Sequence, residues 1–419
     1  MNSSYRKRIS MAISISMVVM VIYRFGRVLR PALEQGINAS GISEFLVNFS
    51  GGFVRRGLLG ECLYKLSEAT GISPYPVILT LSLIFLTFVV AFFLKSFRRR
   101  DMNWWIVLSP LFCGLVVFFI RKDFMQYTLL TGSLLLMRQW GSRWWNILAV
   151  CILGVFGLFL HEAYIFWGIP LSVAVLYGYT RRPAVAVASS LLFIGFFALM
   201  CIYKGDSSNV EAILDSWHRL LGDEYHKSGL SIVALGWNAV HTFWVHFNLN
   251  FHVSLFEVNV GWMGAVIQLL FFMAAYYFIL NFSWTFRRPT SDFTAADRTN
   301  LSAIYLLCAL TLLPMFTILS CDYSRLYQYL FVTSYAAVLI LPRGVCTAML
   351  PGKYLTYVGR MNASIDRYLP SSKGLMVLLL LLLAVAPYSL NLYLAFEYSV
   401  VGTISEIFIR ALRWLVHLV

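Results

Sequence analysis

Residues 108–137 read LSPLFCGLVVFFI, then RKD, then FMQYTLLTGSLLLM. Two uncharged runs flank a turn made wholly of ionisable residues, Arg121, Lys122 and Asp123. A helix crosses a bilayer with about 20 apolar residues, and in lipid only helices or closed barrels satisfy their own backbone. A barrel would show short strands of alternating polarity, which this stretch does not. The same pattern recurs near 9–24, 76–95, 104–120, 124–140, 144–160, 163–179, 183–203, 261–281, 301–320, 327–342 and 374–394. It predicts an all-α polytopic integral membrane protein of about 11 spans, with residues 1–419 forming a single transmembrane domain.

Composition agrees with that prediction. The chain is 59% hydrophobic and 12% charged, where a soluble domain carries roughly a quarter charged residues; its mean hydropathy is +0.74. The net charge of +14 is explained by orientation, because cytoplasmic segments retain Lys and Arg. With the N-terminus inside, the inner segments hold 19 of the 33 Lys and Arg but 4 of the 19 Asp and Glu. The charge therefore sets topology, with a cytoplasmic N-terminus and an outer C-terminus, and no nucleic acid is expected as a partner. MNSSYRKRIS lacks a small-residue cleavage site after it and is read as the lead into an uncleaved first span.

Two outer segments are long, 25–75 and 204–260, and both are expected to carry interfacial amphipathic helices. The longest inner segment, 343–373, is basic and too short to fold as a nucleotide-binding domain. No P-loop or dinucleotide fingerprint occurs. The seven cysteines are scattered without CxxC spacing, so no metal site and no cofactor are read from the sequence.

Four ionisable clusters stand at the outer ends of the spans. They are Arg55-Arg56 in NFSGGFVRRGLLGE (48–61), Arg121-Lys122-Asp123, His161-Glu162, and Asp322 with Arg325. Each alone has an ordinary explanation: a headgroup anchor, a helix cap, or an i,i+3 ion pair. Together they place guanidinium groups, carboxylates and a histidine on one membrane face, where ionisable groups are costly. Arginine pairs bind phosphate oxygens bidentately, and glycines before a helix start can expose N–H groups to an anion. The expected phosphate site is therefore Arg55, Arg56, Arg121, Lys122 and Arg325, with Gly51-Gly52 contributing backbone. Glu162, His161 or Asp322 is the expected proton acceptor, and Glu61 and Asp123 are further candidates. Trp217, Trp237, Trp244 and Trp262 in the second outer segment would stack on sugars or anchor at the interface.

Eleven spans, a substantial first outer loop, and the succession FVRRGLLG, RKD, HE and Asp-x-x-Arg resemble the GT-C superfamily of membrane glycosyltransferases. They also resemble the Wzy-type polymerases of O-antigen and capsule repeat units. The resemblance implies a bacterial inner-membrane enzyme working at the periplasmic face. It would transfer a sugar or oligosaccharide from a polyprenyl-(pyro)phosphate carrier to a glycan acceptor. Membrane lipid and other polysaccharide-assembly proteins are the further partners it implies. GT-C enzymes commonly carry paired acids early in the first outer loop; here Glu34, Glu44 and Glu61 stand singly. A transferase adding a single sugar to O-antigen needs the same chemistry. A transporter or flippase would instead show ionisable residues at mid-membrane and internal repeats, and neither is present in the sequence.

Overall fold

The computed structural model describes the chain except for residues 1–2, 40, 103–119, 228, 238–239, 242, 246–253, 256–257, 260, 282–283, 285–289, 321–322, 369–399 and 417–419. Helices dominate. Among the described residues one strand pairing occurs, β1 (Ser254–Leu255) antiparallel to β2 (Val258–Asn259).

The helices are α1 (Ser3–Gln35), α2 (Gly57–Thr70), α3 (Pro74–Arg99), α4 (Asp123–Trp140), α5 (Trp144–Leu160), α6 (Tyr164–Thr180) and α7 (Pro183–Ile202). They continue as α8 (Ser207–Leu221), α9 (Gly261–Leu280), α10 (Ala295–Thr311), α11 (Tyr323–Ile340), α12 (Arg343–Ala348), α13 (Gly352–Tyr368) and α14 (Val400–Val416). Among them α3 and α7 are long and apolar enough to cross a membrane, and α5, α6 and Leu269–Leu280 are shorter apolar helices. Only 17% of the apolar window of α7 is buried. An apolar helix left so exposed is suited to lipid rather than water.

The runs expected at 104–120 and 374–394 lie outside the described residues. The others fall on helices, with one change. The run expected at 301–320 is broken: α10 ends at Thr311, and a short π-helical turn, Met315–Leu319, follows Pro314. Proline cannot donate the intrahelical hydrogen bond, which weakens the regular ladder at this point.

The centre of the bundle is where α4 meets α3, α5, α6 and α11. Tyr127, Trp167 and Tyr329 are fully buried there. The rings of Trp167 and Tyr329 stack at 4.7 Å, and Tyr127 meets Trp167 at 5.4 Å. Helices α2 and α8 lie in the segments 25–75 and 204–260. The capping box at Asp206 and Asn209 starts α8, which lies over the first outer segment. Trp217 Nε1 donates to Leu46 O at 2.6 Å, Asn48 Nδ2 to Ser216 Oγ at 2.9 Å, and Asn209 Nδ2 to Gly51 O at 2.6 Å. The turn at 46–52 and helix α8 thus interlock. At the other end of the chain, α14 is tied to α1 by Arg24 and Arg27 on Glu406.

Candidate functional site

The segment 36–61 folds by burying short apolar stretches between tight turns. Ile42, Phe45, Leu46 and Val47 are buried, and Glu44 is buried among them. Helix α2 crosses this segment so closely that a Cβ on Gly60 would lie 1.9 Å from Val47 O. Glu61 Oε2 accepts from Phe49 N at 2.9 Å. Glu61, expected as a candidate site residue, is instead a clamp on the 49–52 turn. The paired glycines are also corrected: Gly52 N donates to Phe49 O, and a Cβ on Gly51 would lie 2.8 Å from Asn209 Cα. Gly51-Gly52 therefore serve a tight turn beneath α8, not a phosphate cradle.

Arg56 is the N-cap of α2 and holds a left-handed backbone, φ 64°. Such a conformation costs a non-glycine residue on the order of 1–3 kcal/mol and persists where surroundings over-determine it. Here two contacts do so. The Arg56 guanidinium grips Glu162 through Nε on Oε2 at 2.7 Å and through Nη2 on Oε1, and Lys122 Nζ donates to Arg56 O at 2.9 Å. Arg55 Nη1 joins the same carboxylate at 3.1 Å.

The break between α5 and α6 supplies His161 and Glu162. His161 Nδ1 accepts from Ala163 N at 3.1 Å, so the ring caps this turn. Burial, reinforced by nearby Arg56, pushes the His161 pKa well below its ordinary value. The Nδ1 lone pair is engaged with the Ala163 N–H. Gln126 Nε2 holds the same break, donating to Gly157 O at 2.8 Å and His161 O at 2.7 Å. Burial alone would raise the Glu162 carboxyl, but Arg56 and Arg55 outweigh it and hold it well below the carboxylate range. Both Glu162 oxygens are engaged, so it too is a poor base here.

The RKD turn lies opposite. Arg121 Nη1 donates to Glu44 Oε1 at 2.9 Å. Arg325, in the first turn of α11, forks onto Asp123 with Nε on Oδ2 at 2.9 Å and Nη2 on Oδ1 at 3.0 Å; its Nη1 reaches Glu44 Oε1 at 3.2 Å. Tyr329, one turn on, donates to Asp123 Oδ1 at 2.6 Å. Asp322 lies outside the described residues. Among the described residues, Arg325 pairs with Asp123 and Glu44.

Lys122 is fully buried, and burial lowers its pKa to about 7 against the raising effect of Glu44. Burial would raise the Glu44 pKa, yet Arg325 and Arg121 hold it well below the usual range. Glu44 Oε2 and Arg55 Nε have no hydrogen-bond partner. Buried polar atoms are nearly always satisfied, so orphaned ones in a polar cluster mark a place for a ligand or water.

The structure thus brings together Arg55, Arg56, Arg121, Lys122, Asp123, His161, Glu162 and Arg325. It adds Glu44, Tyr329 and Gln126, which sequence reasoning did not place in the site. The one signal for Glu44 was an acid inside the otherwise apolar run ISEFLV (42–47). Among the described residues, five cationic side chains face three carboxylates, an excess of two positive charges while Lys122 is protonated. No group of His, Cys, Asp and Glu suited to a metal ion occurs among the described residues. No family model, curated protein or solved structure matches this chain.

Proposed function

We propose that this cluster binds the phosphate of a polyprenyl-(pyro)phosphate-linked sugar and transfers the glycosyl group to a glycan acceptor at the outer face of a bacterial inner membrane. The observation that carries the reading is the excess of positive charge, joined to two orphaned atoms, one on a guanidinium and one on a carboxylate. An incoming phosphate exchanges with the internal carboxylates for Arg55, Arg56, Arg121 and Arg325, whose forked donors match phosphate oxygens. The about 11-span topology, with the N-terminus inside and the C-terminus in the periplasm, belongs to this proposal and is supported by the charge asymmetry and the apolar helices.

In the transfer, the acceptor hydroxyl oxygen forms a bond to the anomeric carbon while the bond from that carbon to the carrier phosphate oxygen breaks. The phosphate leaves with the electron pair, and the guanidinium groups stabilise its charge. The hydroxyl proton goes to a carboxylate. We assign that role to Glu44 Oε2, the buried carboxylate oxygen without a partner, in place of Glu162. Phosphate binding that draws Arg121 and Arg325 away from Glu44 would raise its proton affinity when the proton arrives.

Repeat-unit polymerisation of O-antigen or capsule is the reaction we favour; addition of a single sugar to O-antigen would use the same groups. The test is complementation of a deletion strain by Arg56→Lys, Arg56→Ala and Glu44→Gln, with insertion checked and surface polysaccharide read on a gel. Loss of long chains with single repeats retained is expected for Arg56→Ala and Glu44→Gln. Full-length chains lacking a side sugar would reassign the protein as a single-sugar transferase. Wild-type polysaccharide from both variants would sink the site.

A further inference from the structure

Helices α4, α5 and α6 each have one end at the charge cluster, at Asp123, Leu160 and Tyr164. At 1.5 Å per residue their other ends, Trp140, Trp144 and Thr180, lie about 25 Å away. Just past Thr180, Arg181 Nη1 donates to Ala348 O at 3.4 Å, which brings α12, and α13 after it, to this far end. Helix α13 has two unlike faces. On one, Val358 and Asn362 are buried. Asn362 Oδ1 accepts from Tyr277 at 2.6 Å, Tyr354 donates to Ala303 O at 2.8 Å, and Asp366 Oδ2 accepts from Arg298 at 2.6 Å. On the other face stand Lys353, Arg360 and Arg367, all exposed. Their seven-residue spacing places them within about 40° of one another around the helix. Asp366 is the one acid of α13 and is held by Arg298. Among the described residues no carboxylate pairs with Lys353, Arg360 or Arg367. Other cations of this end do have acids, Arg100 with Asp292 and Arg343 with Asp297.

We propose that this basic face of α13 binds the headgroups of anionic phospholipid in the adjoining leaflet. The inference rests on the membrane reading of the apolar helices and is independent of glycosyl transfer. Charge selects an anion, since three unpaired cations share one face with no acid between them. Spacing selects its form. Lys353 and Arg367 are about 21 Å apart along the helix, beyond the reach of one phosphate, so the stripe suits a row of headgroups and not a single soluble anion. Position selects lipid among polyanions. The contacts at Arg298 and Ala303 hold α13 against the first turns of α10, where that helix turns apolar at Leu301. Tyr357, 66% exposed beside the stripe, and Trp144, 76% exposed beside Arg143, are rings of the kind enriched at headgroup level. A basic amphipathic helix next to a membrane span attracts anionic lipid about five-fold more strongly for each Lys or Arg.

The experiment uses the full-length protein in nanodiscs of mixed phosphatidylcholine and phosphatidylglycerol, so that both leaflets offer the same lipids. The probe is phosphatidylglycerol carrying a diazirine near the headgroup end of one acyl chain, and phosphatidylcholine with the same diazirine is the comparison. Adducts are mapped by mass spectrometry after irradiation. Within 352–368 the phosphatidylglycerol adducts are expected to exceed the phosphatidylcholine adducts at least five-fold at equal membrane content. Raising the salt from about 0.1 M to 1 M shortens the Debye length from about 10 Å to 3 Å and should remove most of that excess. Lys353→Gln, Arg360→Gln and Arg367→Gln together should bring phosphatidylglycerol down to the phosphatidylcholine level. Lys65→Gln, at an exposed lysine of α2, should leave the excess unchanged. Equal labelling of wild-type α13 by the two probes would make it a surface that meets lipid without selecting charge, and would overturn the proposal. Absence of adducts from both probes would place the stripe in water, before a soluble acidic partner, and would overturn it too. An excess that survives the triple substitution would move the lipid to other groups and remove the stripe from its binding.

Discussion

Glu44 and Arg325 are 281 positions apart in the chain, and their side chains meet at 3.2 Å. The contact ties the first outer segment to the start of α11, and Arg325 simultaneously forks onto Asp123 at the start of α4. Three segments are thereby pinned at one point, and the Arg55-Arg56 grip on Glu162 pins the α5–α6 break beside it.

Removing one member of a buried ion pair strands its partner, at about 3–5 kcal/mol. Arg325→Ala is therefore expected to lower the thermal midpoint of the detergent-solubilised protein sharply. Adding Asp123→Asn to that variant should restore part of the loss, a coupling of about 1–3 kcal/mol. Simple additivity of the two substitutions would show that the pair carries no energy.

Glu44 and Glu61 should separate functionally. Glu44→Gln keeps shape and loses charge, so it is expected to insert normally and lose at least ten-fold in glycosyl transfer. Glu61→Gln retains an oxygen for Phe49 N and should keep most of the activity. In-vitro transfer from a polyprenyl-linked donor, measured on both variants, checks this; equal activities would remove Glu44 from the chemistry.

Lys122 gives the stability a defined pH dependence. Its pKa is lowered to about 7 in the folded protein, from an ordinary value of 10.5, chiefly by burial. Between those values the unfolded chain binds the proton and the folded one does not, so stability rises with pH. The slope is about 1.4 kcal/mol per pH unit within that window and vanishes below it, where both states are protonated. Lys122→Met should remove the rise between pH 7 and 9 in thermal unfolding. A wild-type midpoint that falls over that range would contradict the assignment.

Close approach at Gly60 makes a second contrast. Gly60→Ala drives a methyl into the Val47 carbonyl and should cost about 1–3 kcal/mol through overpacking. Gly132→Ala in α4 meets nothing within 4 Å and should be neutral or stabilising by up to about 1 kcal/mol. Parallel melting curves of the two variants decide it.

The places where charge interrupts apolar sequence were legible before any coordinates. The RKD turn starts α4, and His161-Glu162 separates α5 from α6, because a charge run ends an apolar helix wherever it falls. The gathering of Arg55, Arg56, Arg121 and Arg325 was legible for the same reason, since each stands where a helix begins. Their partners were not. Which carboxylate neutralises which guanidinium depends on how the helices are arranged around α4, and nothing local encodes it. Glu44 was hidden because its neighbours are apolar and buried, so it read as a stray acid in a loop. The glycines of 48–61 were misread for a similar reason. Gly51 serves Asn209, 158 positions away, and no short-range pattern reports that approach.

Arg325 also sets an order of assembly. A ribosome adds roughly 5–20 residues per second, so the 202 residues between Asp123 and Arg325 take roughly 10–40 s to make. Through that interval the nascent chain already carries Asp123 and Glu44 and still lacks Arg325. Glu44 has Arg121 beside it from the start, whereas Asp123 gains its guanidinium fork only when α11 arrives. Chains that stop before residue 325 leave the buried Asp123 carboxylate without its guanidinium fork, and membrane proteases are expected to clear them faster than the full chain. Two co-expressed halves divided at the 290–294 turn should find each other through the same ions.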